Sequence, residues 1–398
     1  MPPGFVALIA AQFASALADN ALLIVAIALL EQQGLPGWWA PLLKIGFIAS
    51  YVVLAPLVGP LADAYAKGSV MSVMNAVKVV GVAMLLAGVQ PVAAFVVVGF
   101  GAAAYAPAKY GLVTELVMAE QLVAANAWLE VSVVGAVLIG VVLGGFLVSP
   151  WWLQSGGLVA SLLVLLGVYV LAGVINLGVP DSGARYSTAS IRPGALLRGF
   201  IDGNRTLWRD ADGGLSLAAT TIFWGVGATL QFAVLRWAED RLGLALDRAA
   251  YLQAAVAVGV IIGAAAAGRW VPLRHAKRLL AAGVALGLLM PVVACVQDVT
   301  QAALLLALVG AAGGFMLVPL NALLQHRGFA LLTAGRSIAV QGFNENLSVL
   351  CMLAGYAVVQ AWHVPIVTTL CALGLLVSAA IGALMLFERR RIARSGGR

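Results

Sequence analysis

Charged residues are scarce in this 398-residue chain. Aspartate, glutamate, lysine and arginine make up 10% of the residues, whereas 63% are hydrophobic. Soluble globular domains are usually about 25% charged and about 45–50% apolar. The chain therefore has too little polar surface for a water-soluble globular protein, and its composition indicates a membrane protein.

Cysteine and histidine are also rare, with three residues of each. The cysteines lie in apolar stretches without close pairing, which excludes a disulfide framework and a cysteine-based metal site. No histidine is followed by aspartate five positions later, and no Gly-x4-Gly-Lys-[Ser/Thr] phosphate loop is present. We therefore expect no metal, no cofactor and no enzymatic activity.

Apolar runs of about 20 residues recur along the whole chain and predict membrane-spanning helices. The first run is longer than the apolar core of a signal peptide and follows no basic segment, so it is expected to remain in the protein. Twelve spans are predicted, at residues 5–30, 39–60, 70–89, 91–112, 122–147, 152–178, 214–238, 250–271, 278–297, 300–324, 337–360 and 364–387.

Most of the 23 basic residues fall in loops on the side of the membrane that holds both termini. By the positive-inside rule this side is cytoplasmic, and the spacing of the charges between apolar spans excludes nucleic acid as a partner. The predicted organisation is a six-helix bundle at 1–180, a cytoplasmic linker at 181–213, a second six-helix bundle at 214–388 and a basic cytoplasmic tail at 389–398.

The two halves of the sequence show a weak internal repeat. Residues 98–103 read VGFGAA ahead of Pro107, and residues 309–314 read VGAAGG ahead of Pro319. Spans five and eleven each carry an amide followed four residues later by a glutamate. A parallel repeat of six helices is typical of major facilitator transporters, which bind substrate between the halves near the membrane midplane. We therefore predict an all-α membrane protein with twelve transmembrane helices in two six-helix halves, the major facilitator fold.

Asp19 is the most informative ionisable residue because it lies in the middle of the first span. A charged side chain at the bilayer centre costs about 2.5–3.5 kcal/mol, so such residues usually mark a substrate or ion pathway. Gln12 and Ser15 share its helix face, and Asn20 follows it directly. Asp19 could instead be a structural carboxylate that is hydrogen-bonded to a neighbouring helix, but we favour contact with a cationic or hydroxylated substrate head group or a coupling ion.

Glu130 and Glu345 are the repeated glutamates of spans five and eleven. Gln341 and other amides surround Glu345 and could satisfy it structurally. Because both glutamates lie near the cytoplasmic ends, gating or inter-helix locking is as plausible as substrate contact. Lys78 and Lys109 are their candidate partners, although Lys78 could snorkel and Lys109 could lie at the membrane surface.

Two further sites follow from charge position. Asp63 and Lys67 lie in the turn between spans two and three, in a segment that approximates the major facilitator loop signature. The arginine that usually follows the aspartate is replaced by Ala64, and we interpret Asp63 as a conformational latch. Arg236, near the outer end of span seven, could either snorkel outward or capture a phosphate from the outer leaflet.

Several segments resemble the bacterial lysophospholipid transporter family, a branch of the major facilitator transporters, and the resemblance covers nearly the whole chain. The matching segments are Leu17–Leu23, Ala62–Asp63, Ala66–Gly68, Val70–Met71, Gly101–Gly111, Phe223–Gly225, Gly313–Phe315, Val318–Gln325, Ile338–Gln341 and Asn344–Asn346. The chain departs from the family at Ser69, where a basic residue is usual, and at Gln231, where arginine often precedes the phenylalanine.

The resemblance implies an inner-membrane flippase that moves lysophosphatidylethanolamine and related lysolipids from the periplasmic to the cytoplasmic leaflet. An acyltransferase/acyl-carrier-protein synthetase of the same pathway would then restore the missing acyl chain. The substrate-binding candidates are Asp19, Asn20, Gln231, Arg236 and Asn321, and the gating candidates are Asp63, Lys67, Lys78, Lys109, Glu130, Gln341 and Glu345. The alternative is a major facilitator exporter of drugs or other small amphipathic solutes.

Overall fold

The computed structural model describes residues 4–36, 39–186, 192–244 and 246–395, and these residues form helices without a β-strand. Short 3-10 helices occupy Ala119–Gln121 and Leu273–Leu279. The α-helices are α1 Phe5–Gln32, α2 Trp39–Ala64, α3 Lys67–Leu86, α4 Pro91–Leu116, α5 Leu122–Leu147, α6 Pro150–Asn176, α7 Pro193–Arg209, α8 Ala211–Leu242, α9 Leu246–Trp270, α10 Leu280–Cys295, α11 Val299–Leu331, α12 Ala334–Ala361 and α13 Ile366–Ser395.

Every predicted span is a helix, and the all-α membrane fold is confirmed. In the described part of the chain, eleven helical segments are long and apolar enough to cross a membrane. The helix α12, predicted as the eleventh span, has 28 residues and is long enough to cross a membrane, but it is not among these eleven apolar segments. Several helices run past their apolar stretch, as α11 does by continuing from residue 324 to Leu331.

Local capping explains where several helices begin. The Ser149 hydroxyl accepts a hydrogen bond from the Trp152 N–H, and the Gln90 side chain accepts one from the Ala93 N–H at 2.9 Å. Proline follows each of these caps, at the helix position where a missing N–H has no cost. Such caps satisfy backbone donors that have no partner within the helix.

The helix α8 begins at Ala211, three residues earlier than predicted, because Asp210 caps it. The Asp210 carboxylate accepts hydrogen bonds from the Asp212 N–H at 3.2 Å and the Gly213 N–H at 2.7 Å. The Arg327 guanidinium donates to the same carboxylate at 2.6 Å and holds the pKa of Asp210 below its usual value. An ionised cap at this helix start also interacts favourably with the helix dipole.

The linker contains a helix that the sequence interpretation did not include. The helix α7 starts with Pro193 at its first position and places Leu196, Phe200, Gly203 and Leu207 at spacings of three or four residues. Gly203 and Leu207 are buried. This periodicity is that of an amphipathic helix with one face against the protein, so the segment predicted as a cytoplasmic linker contains a helix that packs on the first unit.

The chain divides into two compact units. The first unit contains Met1–Met118, Ser132–Leu207 and Gly328–Phe343, and the second contains Ala119–Val131, Trp208–Arg327 and Asn344–Arg398. The first unit thus includes a segment from the second half of the sequence, and the second unit includes a segment from the first half. The division into six-helix bundles at 1–180 and 214–388 stays a prediction.

Each unit has its own apolar core. In the first unit, the buried side chains of Leu22, Leu165 and Tyr169 belong to one cluster. In the second unit, Trp237 is fully buried and its indole N–H donates to the Ala294 carbonyl at 3.3 Å. A buried indole N–H usually needs such an acceptor, so this bond lets the largest core side chain pack without an unsatisfied donor.

Glycines allow α9 and α11 to pack backbone against backbone in the second unit. A Cβ atom at Gly259 would lie 2.0 Å from the Ala307 carbonyl oxygen, and one at Gly263 would lie 2.0 Å from the Ala311 carbonyl oxygen. Real atoms cannot approach this closely, so these positions require glycine. Small residues serve the same purpose in many membrane helix pairs.

We expect Gly259→Val to destabilise the second unit, because the added side chain forces α9 away from α11. Overpacking of this kind costs on the order of 1–3 kcal/mol. Thermal unfolding of the purified protein in detergent measures the effect. Gly227→Val is the matched control, since a Cβ at Gly227 meets no atom within 4 Å. An equal loss of stability in both variants would contradict the close packing of α9 on α11.

Candidate functional site

A largely buried ion pair joins α1 to α3 within the first unit. The Asp19 Oδ2 atom of α1 lies 2.6 Å from the Lys78 Nζ atom of α3. The Tyr169 hydroxyl of α6 donates to Asp19 Oδ1, also at 2.6 Å. The Lys78 side chain is 3% exposed and the Asp19 side chain 16%, so the carboxylate is the more accessible partner.

Lys78 has further partners that compensate for its burial. Its Nζ atom donates to Ser15 Oγ at 2.9 Å and lies 5.4 Å from the ring centroid of Tyr105 and 5.9 Å from that of Tyr169. Hydrogen bonds and aromatic faces stabilise a buried ammonium group. Asp19 is therefore the partner that the structure assigns to Lys78, in place of the glutamates considered from the sequence.

The polar face of α1 continues from Ser15 toward the start of the helix, where Gln12 lies. The Gln12 side chain donates to Ser132 Oγ at 2.6 Å and accepts from Lys109 Nζ at 3.2 Å. Lys109 is buried, with its Nζ atom 4.2 Å from the Tyr110 ring centroid. Lys109 is therefore enclosed by the protein, where the polar face of α1 supplies a hydrogen-bond acceptor for its ammonium group.

This arrangement offers both signs of charge in one apolar environment. A carboxylate and an ammonium group held together can each exchange a partner with a ligand that carries the opposite charges. A zwitterionic molecule with an ammonium and a phosphate group has one partner for Asp19 and one for Lys78. Charge-assisted hydrogen bonds of this type are short and about twice as strong as neutral ones.

Asp63 caps a helix that is distant in the sequence. The Gly335 and Arg336 N–H groups, in the first turn of α12, donate to its carboxylate at 2.8 and 3.2 Å. The Thr333 hydroxyl donates as well, and Asp63 is 1% exposed. The first N–H groups of a helix lack partners within the helix and attract negative charge. Asp63 therefore fastens the end of α2 to the start of α12.

Close backbone contact accompanies this cap. A Cβ atom at Gly59 would lie 2.9 Å from Arg336 Cα and 3.0 Å from Ala339 Cβ. Gly59, in the last two turns of α2, thus lets this helix approach α12 closely enough for the Asp63 hydrogen bonds to form.

Lys67 pairs with Glu115, a residue that sequence reasoning missed. Their Nζ and Oε1 atoms lie 2.6 Å apart and both side chains are buried. Tyr186 and Ser182 donate hydroxyl hydrogen bonds to the same glutamate at 3.1 and 2.5 Å. Burial, with the nearby charge of Glu115, raises the pKa of Tyr186 to about 12. Glu115 lies beyond the predicted end of span four, and only the extension of α4 to Leu116 brings it to Lys67.

The amide–glutamate pairs of α5 and α12 are divided between the two units: Asn126, Glu130 and Glu345 belong to the second unit and Gln341 to the first. In the second unit, Asn126 and Gln325 exchange two amide hydrogen bonds at 2.8 and 2.9 Å. Glu130 is buried one turn further along α5, and Glu345 is partly buried on α12. Gln341 is also buried and belongs to the first unit. The pairing of the two glutamates stays a prediction.

The other predicted substrate contacts differ in exposure. Asn20 donates to the Ala16 carbonyl at 2.8 Å on its own helix, and Asn321 is buried in α11. The backbone carbonyl of Gln231 accepts a hydrogen bond from the side-chain amide of Gln253 at 2.6 Å. Arg236 lies 3.6 Å from Asp240 on the same helix, with its side chain 46% exposed, as in a side chain that reaches away from the apolar core.

Comparison with known proteins identifies the family. The model of the Major Facilitator Superfamily matches residues 8–348. This chain belongs to the Major Facilitator Superfamily. It is a multi-pass membrane protein whose relatives are transporters and not enzymes.

Among curated relatives, proteins of Yersinia pestis (strain Pestoides F) and Yersinia pseudotuberculosis serotype O:3 (strain YPIII) are both named Lysophospholipid transporter LplT. Each is 44% identical over 364 residues, which cover 91% of this chain and 88% of the relative.

Solved structures share the fold at low sequence identity. The E. coli fucose:proton symporter FucP aligns with a TM-score of 0.76 at 15% identity, over 96% of this chain and 99% of that one. The human organic anion transporter MFSD10 (TETRAN) aligns with a TM-score of 0.73 at 16% identity, over 96% and 100% of the two chains. These similarities establish the major facilitator fold.

We expect Asp63→Ala to expose the start of α12, because three hydrogen bonds to one carboxylate are lost. If the cap contributes about 1.4 kcal/mol to the closed arrangement, opening increases about tenfold. A cysteine introduced at Ala334, which is 1% exposed, reports this as faster labelling by a polar maleimide in a background without native cysteines. Asp181→Ala, which removes an exposed carboxylate, is the control. Unchanged labelling in Asp63→Ala would exclude the latch.

Proposed function

We propose that this chain transports lysophospholipids, including lysophosphatidylethanolamine, from the periplasmic to the cytoplasmic leaflet of a bacterial inner membrane. The observation that carries the proposal is the 44% identity, over 91% of the chain, to relatives named Lysophospholipid transporter LplT. Membership of a transporter superfamily and the buried Asp19–Lys78 pair support the same function.

The head group would bind at the Asp19 cluster. Its phosphate would take a hydrogen bond from Lys78, and its ammonium or hydroxyl group would bind Asp19 and Asn20. Tyr169 holds the carboxylate at 2.6 Å and so keeps one oxygen oriented while the other changes partner. The remaining proposed substrate contacts, Gln231, Arg236 and Asn321, lie on α8 and α11.

The acyl chain needs only an apolar environment, which the helices supply. A lysolipid has one charged end and one apolar end, so a transporter for it requires few polar side chains. A chain with 10% charged residues and an Asp19–Lys78 pair among apolar helices suits this substrate class. Burial of a tail is favourable by about 0.8 kcal/mol per CH₂ group.

The proposed gating set is Asp63, Lys67, Lys78, Lys109, Glu130, Gln341 and Glu345. The Asp63 cap and the Lys67–Glu115 pair hold neighbouring helix ends together. Breaking these charged contacts would accompany the change between the two access states. We propose that the protein keeps both termini in the cytoplasm, where an acyltransferase/acyl-carrier-protein synthetase reacylates the delivered lysolipid.

Reconstitution into liposomes with labelled lysophosphatidylethanolamine tests the function. We expect the protein alone to move the lipid between leaflets. Asp19→Asn removes the charge of the side chain but keeps its shape. Because one charged contact to the substrate is lost, we expect uptake to fall at least about tenfold. Glu31→Gln, which changes an exposed carboxylate near the end of the same helix, should retain uptake at equal abundance.

Two results would count against this proposal. Absence of lysolipid uptake, together with transport of unrelated amphipathic drugs, would identify a small-solute exporter. Full uptake by Asp19→Asn would make Asp19 a structural residue.

We further expect Glu130 and Glu345 to act as one unit. Two carboxylates in a low-dielectric environment cannot both stay charged without compensation. If they share one conformational free energy, Glu130→Gln and Glu345→Gln each alter uptake, and the double variant differs from the sum of the single effects. The same liposome assay measures this double-mutant cycle. Additive losses would show two independent sites, and normal uptake in both single variants would show a packing role.

A further inference from the structure

A cleft of about 340 Å³ lies within the first unit, outside the Asp19 cluster. Apolar walls come from α2, α7 and the first turns of α12, through residues such as Ala55, Pro60, Phe200 and Val340. Ala55 lies nine residues before the end of α2, a distance of about 13 Å along a helix. The cleft therefore extends from the helix ends at the linker toward the apolar part of the bundle, and its volume is within the range of small-molecule sites.

Two residues of opposite charge also line the cleft. Arg336 lies on α12 and Asp202 on α7. The hydrogen bonds of Arg336 to Asp63 and of Asp202 to Thr206 use the backbone N–H of Arg336 and the backbone carbonyl of Asp202, not their charged groups. A cleft with apolar walls, one cationic group and one anionic group matches an amphipathic molecule with a zwitterionic head.

The outer face of α7 indicates where this molecule comes from. Leu197 and Ile201 are 50% and 54% exposed, and exposed arginines flank them at positions 198 and 205. Exposed apolar residues beside arginines on one amphipathic helix are typical of a helix that lies in a membrane interface. The cleft beneath α7 is then open to the lipids of that leaflet.

We propose that this cleft binds an intact membrane phospholipid with an ethanolamine head group. The phosphate binds Arg336, the ammonium group binds Asp202, and part of an acyl chain lies between Phe200 and Val340. An anionic lipid would leave Asp202 without a partner, and a free phosphate would leave the apolar walls uncovered. This site is distinct from the transport site of the proposed function.

Occupancy of the cleft has a consequence for the latch. The Arg336 N–H donates to Asp63 at 3.2 Å, and Arg336 Cα lies against Gly59. A lipid that binds both Arg336 and Asp202 connects α7 to the segment that Asp63 caps. Because it binds this arrangement and not one in which α12 has moved away, the lipid stabilises the capped state by linkage.

The test measures thermal unfolding of the delipidated full-length protein in detergent. We expect added dioleoylphosphatidylethanolamine to raise the unfolding midpoint by about 2 °C or more, as a ligand of the folded state does. Gly199→Leu should abolish the shift, because Gly199 lines the cleft and its Cβ position has no atom within 4 Å, so leucine fills the space without a clash. Gly194→Leu, on the same helix but outside the cleft, should keep it.

Arg336→Gln provides a second variant that keeps the backbone N–H of the cap and removes the charge; it should also lose the shift. Equal shifts in wild type, Gly199→Leu and Arg336→Gln would overturn the site. An equal shift with phosphatidylglycerol would overturn the head-group assignment, and an equal shift with glycerophosphoethanolamine would overturn the role of the acyl chain. The assay needs no transport, so failure of lysolipid uptake would leave its outcome independent.

Discussion

The ion pair between Asp19 and Lys78 is the interaction on which the interior of the first unit depends. An unpaired charge there would cost several kcal/mol, and each member of the pair makes the other tolerable. Tyr169 adds α6 to the contact between α1 and α3, and the Tyr105 ring adds α4. One buried charge pair thus fixes the relative positions of four helices that otherwise present interchangeable apolar surfaces to each other.

Buried charges at the helix ends must also have partners, but there the partners are of two kinds. Asp63 is satisfied by backbone N–H groups of α12, whereas Lys67 is satisfied by Glu115 and not by the aspartate four residues before it. Backbone donors hold a carboxylate only while the helix end stays in place. The Asp63 contact therefore depends on conformation more directly than a side-chain pair, which can follow a moving partner.

The fold was largely predictable, but the partners within the site were not. Apolar runs predict helices because the membrane requires them, and the 3.6-residue period places Gln12, Ser15 and Asp19 on one face. Asp19 is separated from Lys78 by 59 positions in the sequence and from Tyr169 by 150 positions. No local sequence pattern encodes contacts between residues so far apart. The helix α7 was missed because its glycines and arginines hide the spacing of Leu196, Phe200 and Leu207.

The position of α7 gives the linker a role beyond connection. An amphipathic helix buries one face against protein only if that protein offers an apolar surface, and here the surface belongs to α2 and the start of α12. The residues that receive α7 are thus neighbours of those that Asp63 caps. Any molecule that alters the packing of α7 on this surface changes the free energy of the Asp63 contact, because the two share Arg336 and its flanking backbone. In a protein surrounded by lipid, the molecules best placed to do this are the lipids themselves.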